Sequence, residues 1–489
     1  MNSSLTYLVY FTLYTIVLLF FGKGGFKRTQ NIRDFFVAVS SLGLLLSMAT
    51  FTATWFSAAS MLGVSGSIYA DGYNTVLYAI VPWFTGATLM VFLATRLKNY
   101  DVVTVPEYFY LRYGSKFLQA MGGLVIVITY VLYIIIQIRG FGIVVSQFLD
   151  IDYTFATILI YLFIMYTTFG GLFSVARTDG LNTFLIITGA AVAAVLVLTQ
   201  VGGITLMHEQ AAAISSRPFP GYSHVTKEGA LLHPFSMGIY PPLLTFTSFF
   251  GWGLGLATNP QYAIRIASAK DTKTAVKMIC YSVFLLAFVY LCMMVIGIGG
   301  RVLQPEIAGI HSVDEVFPYL INHVIYSRYS GLIFISIIAA AISTANSQLL
   351  VAASGFTYDI YRNLINPDIS DEKMLTMSRV FIFVAGTASL LLSLNPPESL
   401  LIYGGYIWGV FTVTFLLPLY GGLLWKRASA SAALFSFLAG LTVMAVFTVY
   451  SIETGFSLHH RIHPAFPGFL TALLVFLLVS FVEPNKASE

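Results

Sequence analysis

Around residue 345 the chain concentrates side chains whose types and spacing suit the holding of a cation. In the run IIAAAISTANSQLL, residues 337–350, Ser343, Thr344, Asn346, Ser347 and Gln348 fall within six positions of an otherwise apolar stretch. At 100° per residue, Ser336, Ala340, Ser343, Thr344 and Ser347 share about a third of a helix's circumference, with Asn346 beside them. This stripe offers oxygen and neither sulfur nor imidazole, which is the donor set of a hard cation. No carboxylate stands in the stripe, which favours a monovalent ion over calcium. A second reading fits the same residues: a small-residue packing seam whose hydroxyls bond back to the carbonyl four positions earlier. Gln348 has no assigned role.

Two further stretches gather polar and small residues. Residues 47–66, SMATFTATWFSAASMLGVSG, hold Thr52, Thr54, Ser57 and Ser60. Residues 245–260, TFTSFFGWGLGLATNP, hold Gly251, Gly253 and Gly255 at alternate positions, each costing a helix about 1 kcal/mol relative to alanine. Each stretch is either a packing surface or an interrupted helix whose freed carbonyls and amides bind ion or solute at mid-membrane. One carboxylate is near enough to matter. Asp179, two residues after Arg177, opens an expected span, as an acid favoured by the helix dipole or as an ion partner. His459, His460 and His463 cluster in an expected outer loop, where solvation is a better reading than a metal site. No nucleophile–base pair or metal-ligand set stands at mid-membrane, so the chain does not read as an enzyme.

The elements that must position these groups are membrane helices. Of 489 residues 57% are hydrophobic and 9% charged, against about 25% charged in soluble domains. Apolar runs long enough to cross a bilayer as helix recur along the chain. Thirteen spans are expected, at about 5–22, 38–66, 74–95, 118–147, 154–173, 179–203, 236–258, 277–299, 330–361, 374–395, 400–424, 431–451 and 466–483. The first has no basic region before it and no small-residue cleavage site after it, so it reads as a retained span. Of the 25 Lys and Arg residues, 19 fall in one set of loops and 5 in the other, with Arg139 inside a span. The positive-inside bias then puts the N-terminus outside and the C-terminus in the cytoplasm. Cys280 and Cys292 share one span and read as small apolar fillers. The net charge of +4 lies in short loops and gives no reason to expect nucleic acid. The outer segments 204–235 and 300–329 are too short to house a soluble enzyme.

Two candidate interrupted helices about 200 residues apart suggest two halves of five spans each, 36–204 and 236–425. An odd number of spans gives the halves opposite topology. Around them lie a peripheral N-terminal helix and loop (1–35), an outer loop (205–235) and two C-terminal helices with a short tail (426–489). At four motifs the sequence resembles the sodium/solute symporter family, whose fold is the LeuT-like inverted repeat: FTATWFSAASMLGVSG, YTTFGGLFSVARTD, GWGLGLATNPQYAIR and AAAISTANSQLL. The resemblance spans roughly residues 30 to 430 and is strongest to the pantothenate and monocarboxylate-like branches.

The resemblance implies an all-α polytopic membrane protein and a sodium site between the first core helix and the stripe. Its ligands would be the backbone carbonyls of Ala53, Phe56 and Ala340 and the hydroxyls of Ser343 and Thr344. Some members have another sodium site nearer the cytoplasm, which would use Asp179, Ser343, Asn346 and Ser347. Asn346 stands where serine is frequent, which leaves the number of ions open. Substrate would face Trp55, Ser57, Tyr133, Trp252 and the position of Leu256, and spacing adds Gln137. Proline symporters resembling this chain carry aspartate at the position of Trp55 and tyrosine at that of Leu256, and both departures argue against proline. Arg139 either meets a substrate carboxylate or snorkels to the interface. The implied function is sodium-coupled symport of a small organic solute, with pantothenate or a monocarboxylate leading and amino acids and sugars open. A proton-coupled transporter of the same fold, a sensor or a passive channel are the rivals. No resident cofactor is expected, sodium being the coupling ion. The expected setting is a multi-pass monomer in the plasma (inner) membrane.

Overall fold

The computed structural model describes residues 3–26, 29, 31–38, 41–216, 225–235, 241–395, 399–454 and 461–483. Among them every named element is helical, and two isolated β-bridges complete the secondary structure. In chain order the main helices are α1 (Ser3–Phe26), α2 (Ile32–Val37), α3 (Leu44–Trp55), α4 (Ala59–Asp71), α5 (Tyr73–Tyr100), α6 (Val105–Tyr113), α7 (Lys116–Leu149), α8 (Tyr153–Thr168) and α9 (Gly171–Val201). There follow α10 (Ile204–Ala212), α11 (Pro242–Thr258), α12 (Pro260–Ser268), α13 (Thr272–Leu303), α14 (Ser330–Ile365), α15 (Asp371–Ser393), α16 (Leu400–Leu424), α17 (Ala430–Thr454) and α18 (Ala465–Val482).

Ten of these helices are long and apolar enough to cross a membrane, and the bent pair α3–α4 makes an eleventh. The expected thirteen are reached only by adding α8, of 16 residues, and α11, of 17. The bend between α3 and α4 is 60°. A bilayer tolerates such a break only where the surrounding protein covers it, and the packing supplies that cover. Helix α14 is the axis of the molecule: 94% of its most apolar window is buried, and it packs against α9 and α7. Helix α3 lies on α9 and α13, and α11 lies between α16 and α5. Helices α17 and α18 pack on each other at the periphery.

The interruption expected within residues 245–260 lies at their end and not at the glycines. Helix α11 runs through all three glycines and stops at Thr258, and Asn259–Pro260 makes the interruption. Proline has no N–H for the helical ladder and its ring clashes with the preceding turn. The glycines serve close approach instead. A Cβ on Gly255 would lie 2.7 Å from the Trp408 carbonyl, and one on Gly253 2.7 Å from that of Pro82. Gly86 faces Gly253 across the same seam, where a Cβ would meet the Gly253 carbonyl at 2.2 Å.

At the end of the bundle opposite the Lys/Arg-rich loops, a turn at residues 312–314 lies across α4. Gly66 sits so close beneath it that a Cβ would reach 1.9 Å from the Val313 carbonyl. Asp314 accepts hydrogen bonds from the Leu400 amide at 3.0 Å and the Ser312 hydroxyl at 3.2 Å. The guanidinium of Arg139 lies 3.7 Å away. The turn therefore ties α4, α7 and the start of α16 together. Burial pushes the Asp314 carboxyl up to about 6, with Arg139 and the Leu400 amide offsetting only part of that cost. Arg139, 7% exposed, thus faces a carboxylate of the protein and does not snorkel.

Other sequence-level placements shift in the same way. Arg265 and Arg301, expected in loops, are both fully buried. Arg301 donates to Ser216 at 2.5 Å and lies 4.9 Å over the ring of Tyr69. His463 is not in a solvated loop: it is 1% exposed, with its ring against Gly251. Burial lowers its pKa to about 3. His459, His460, Lys27, Arg28, Arg217 and Lys486 lie outside the described residues. Both cysteines are free, Cys292 buried as expected and Cys280 exposed.

Two predictions follow from this packing. Gly86→Ala should cost about 1–3 kcal/mol through overpacking against backbone and lower the unfolding temperature in detergent. Gly180→Ala, where a Cβ meets nothing within 4 Å, should be neutral. Because the buried Asp314 carboxyl binds its proton more tightly than the hydrated one, the seated turn gains stability as pH falls through about 6 and loses it as pH rises. The unfolding temperature of the native chain minus that of Asp314→Asn should therefore increase from pH 7.5 to pH 5. A constant or shrinking difference would show that Asp314 is not the group titrating.

Candidate functional site

The interruption between α3 and α4 begins where helical bonding stops. The Phe56 amide donates to the Thr52 carbonyl at 3.0 Å, and Phe56 then turns extended (φ −85°, ψ 100°). Ser57 restarts the chain, its carbonyl accepting the amides of Ser60 and Met61 at 3.0 Å each. The Ala58 amide, freed by the break, donates to Gln137 Oε1 at 3.1 Å. The Ala53 carbonyl instead faces α14, where it accepts the Ser343 hydroxyl at 2.9 Å and the Thr344 hydroxyl at 3.4 Å. Ser343 also reaches the Ala340 carbonyl at 3.1 Å. Four oxygens of the expected sodium site therefore converge: Ala53 O, Ala340 O, Ser343 Oγ and Thr344 Oγ1. The fifth ligand residue, Phe56, lies at the break itself. All five residues are buried. Hydroxyl and carbonyl oxygens from two separate helices, shielded from water, are groups that a small hard cation can take as ligands.

The second interruption, at Asn259–Pro260, is held by the same long helix α7. The Tyr130 hydroxyl donates to Asn259 Oδ1 and accepts the Gln261 amide at 2.9 Å. Gln261 Nε2 reaches back to the Thr54 carbonyl at 3.4 Å, joining the two breaks. Tyr130 and Gln137 are seven residues apart, two helical turns, so one face of α7 serves both. Sequence reasoning named Gln137 and missed Tyr130, Asn259 and Gln261. The dipeptide Asn-Pro after an apolar run was the available signal.

Between the breaks lies a buried aromatic cluster. Trp83, Trp252 and Trp408 meet with ring centroids 5.0–5.8 Å apart. Tyr133 touches Trp408 at 6.2 Å, and Trp55 touches Tyr262 at 5.6 Å. Ser57 and Leu256 are buried at the first and second interruption respectively. Trp55, Ser57, Tyr133, Gln137, Trp252 and Leu256 thus belong to the two breaks and the helix that holds them. The indole N–H of Trp83 has no hydrogen-bond acceptor among the described residues, nor does Gln137 Nε2, while those of Trp55, Trp252 and Trp408 face the hydroxyls of Tyr290, Tyr78 and Tyr133. Trp83 and Trp408 were not singled out from sequence, because a tryptophan in a membrane helix is unremarkable until its neighbours are known.

Asp179 is not at a helix start. Helix α9 begins at Gly171, two turns earlier, and Asp179 is fully buried inside it. It accepts the Thr50 hydroxyl of α3 at 2.6 Å. The guanidinium of Arg265, from α12, lies 4.0 Å from the same carboxylate oxygen. The same Nη2 atom donates to Ser347 Oγ at 2.5 Å. Ser347 in turn donates to the Ser343 carbonyl at 2.9 Å. Asn346 turns elsewhere, its Oδ1 accepting the hydroxyls of Thr167 at 2.7 Å and Thr168 at 3.1 Å. Gln348 is fully buried with neither amide atom bonded among the described residues, and nothing in the structure explains it.

Comparison with known proteins accords with this geometry. The sodium:solute symporter family pattern matches residues 35–440. The chain is 28% identical to the sodium/pantothenate symporter of Escherichia coli, covering 92% of this chain and 91% of that protein. It is 25% identical to the osmoregulated proline transporter of Bacillus subtilis, covering 97% and 95%. A substrate-bound, outward-open Na+-coupled sialic acid symporter superposes with a TM-score of 0.80 at 18% identity, over 99% of both chains. MhsT in complex with L-phenylalanine gives 0.51 at 16% identity, over 89% of this chain and 98% of that one. The fold is thus the LeuT-like one expected from the motifs. With its pattern matched across most of its length, the chain belongs to the sodium:solute symporter family.

Proposed function

We propose that this protein is a sodium-coupled symporter of a small organic carboxylate. The observation that carries the reading is the convergence of the Ala53 and Ala340 carbonyls with the Ser343 and Thr344 hydroxyls at the first helix interruption. A sodium ion there would bridge α3 to α14. It would fix the broken segment 56–58 that borders the aromatic cluster, and so form the solute site. That is a coupling free energy between two sites, reciprocal by necessity. Solute binding and closure of the outer turn would then precede rocking of one helix bundle against the other. The membrane potential contributes about 2.3 kcal/mol per charge per 100 mV.

The carboxylate preference rests on unpartnered donors beside the aromatic cluster. The Trp83 indole N–H and the Gln137 amide N–H lie there without acceptors, and a carboxylate supplies acceptors only. Relatives named for pantothenate and for proline both take carboxylates. Trp55 and Leu256 favour pantothenate or a monocarboxylate over proline. The repeat boundaries at 36–204 and 236–425, the orientation with the N-terminus outside, a plasma-membrane location and function as a monomer complete the proposal.

Uptake by proteoliposomes tests it, with pantothenate, lactate, pyruvate and proline each offered with and without an inward sodium gradient. At least one carboxylate should accumulate only with sodium. Accumulation indifferent to sodium but driven by a proton gradient would favour the proton-coupled rival. Thr344→Ala removes one ligand oxygen and should raise the sodium concentration for half-maximal uptake by about 10-fold or more, the equivalent of a lost bond to a charged group. An unchanged sodium dependence would take Thr344 out of the site.

A further inference from the structure

His463 belongs to the peripheral pair α17–α18, yet its side chain reaches into the contact between α11 and α16. It stands just before α18 and is 1% exposed. Its amide donates to Thr247 Oγ1 of α11 at 2.9 Å. Its Nδ1 accepts the Ala465 amide at 3.2 Å, which satisfies a first-turn donor of α18 and fixes how the ring is turned. A Cβ on Gly251 of α11 would fall 2.3 Å from the ring's Cε1. A Cβ on Gly409 of α16 would fall 3.4 Å from the same atom, alongside Met444 of α17 and Ala465 of α18 at 2.8 and 3.0 Å. The Tyr406 ring of α16 lies 5.7 Å away, centroid to centroid. The ring therefore stands where two glycines leave both helices without side chains.

The residues next to those glycines meet in the aromatic cluster. Trp252 follows Gly251, Trp408 precedes Gly409, and the two indoles lie 5.3 Å apart. Trp252 also rests on α16 itself, where a Cβ on Gly405 would come 3.0 Å from its Cε2. The separation of α11 from α16 thus decides how the indoles meet. A mere filler of this gap would be aliphatic. The imidazole leaves Nε2 buried with no partner among the described residues, a cost that a leucine would not carry. What it adds is a flat ring together with an acceptor that holds that ring at a set angle.

We propose that His463 is a positioning residue for the solute site, a spacer that sets the approach of α11 to α16 and through it the meeting of Trp252 with Trp408. The proposal deepens the symporter reading above and rests on it for the solute. It makes the peripheral pair α17–α18 part of the scaffold of that site.

Two measurements on purified full-length protein test it. Near-ultraviolet circular dichroism in detergent reads the packing of the tryptophans, and uptake by proteoliposomes reads the solute concentration for half-maximal rate. His463→Ala removes both ring and acceptor. His463→Asn keeps a side-chain acceptor for the Ala465 amide and removes the ring, and His463→Phe keeps a ring and removes the acceptor. Each is checked for monodispersity. The Ala and Asn variants should lose much of the tryptophan signal and need a several-fold higher solute concentration, with the maximal rate less affected. The Phe variant should keep both near native. A folded Ala or Asn variant with the native signal, or a folded Phe variant without it, would overturn the spacer. Should the Ala variant not fold, the Asn and Phe variants decide. A lost signal with unchanged half-maximal concentration would overturn the link to the solute site. The dichroism needs no solute, so a failure to find any transported carboxylate would overturn the symporter reading and leave the spacer to be judged on its own signal.

Discussion

A helix broken inside a bilayer leaves amides and carbonyls that lipid cannot satisfy, and the architecture of this chain depends on how those groups are held. At the first break, the Ala58 amide goes to Gln137 and the Ala53 carbonyl to Ser343 and Thr344. At the second, the Asn259 side chain and the Gln261 amide go to Tyr130. Two unbroken helices, α7 and α14, therefore act as the frame, and the two broken ones act as guests. This division explains why polar residues are gathered into stripes on α7 and α14. Each stripe repays a particular loss of backbone bonding elsewhere.

The stripe on α14 was legible in sequence because it is periodic and chemically uniform. Ser343 and Thr344 could be placed on one face from spacing alone, and resemblance supplied Ala53 as their partner. The first break was legible too, since Thr, Ser and small residues replace the usual aliphatics around Trp55. The second was located only to the stretch 245–260, because three glycines look as much like the weak point of a helix as the Asn-Pro after them. In the fold Gly253 and Gly255 lie where α11 meets the backbones of α5 and α16, Gly251 lies against the His463 ring, and the break falls at the proline that follows.

Buried charge was the main thing sequence could not show. Asp179, Arg265, Arg301 and Asp314 all lower the local hydropathy, so each reads as the edge of a span or as a loop, and Arg139, placed inside a span, shows no partner. Only the fold shows the partners: Asp179 with Arg265, Asp314 with Arg139. Those pairs join segments 86 and 175 residues apart, a distance over which no local pattern carries information. Asp179 illustrates the cost. Its helix starts at Gly171 and not beside it, so an apparent interfacial acid is an internal one.

One small contact has a wide mechanical meaning. The backbone of Leu42, just before α3, pairs with the strand-like exit of α12: the Leu42 amide donates to the Ser268 carbonyl at 3.2 Å, and the Lys270 amide donates to the Leu42 carbonyl at 3.1 Å. The two broken helices, more than two hundred residues apart in sequence, are thus riveted at their feet. A displacement of either foot strains these two hydrogen bonds. On the sodium-coupled reading, an ion held at Ala53 would act on a helix whose other end is tied to the second broken helix.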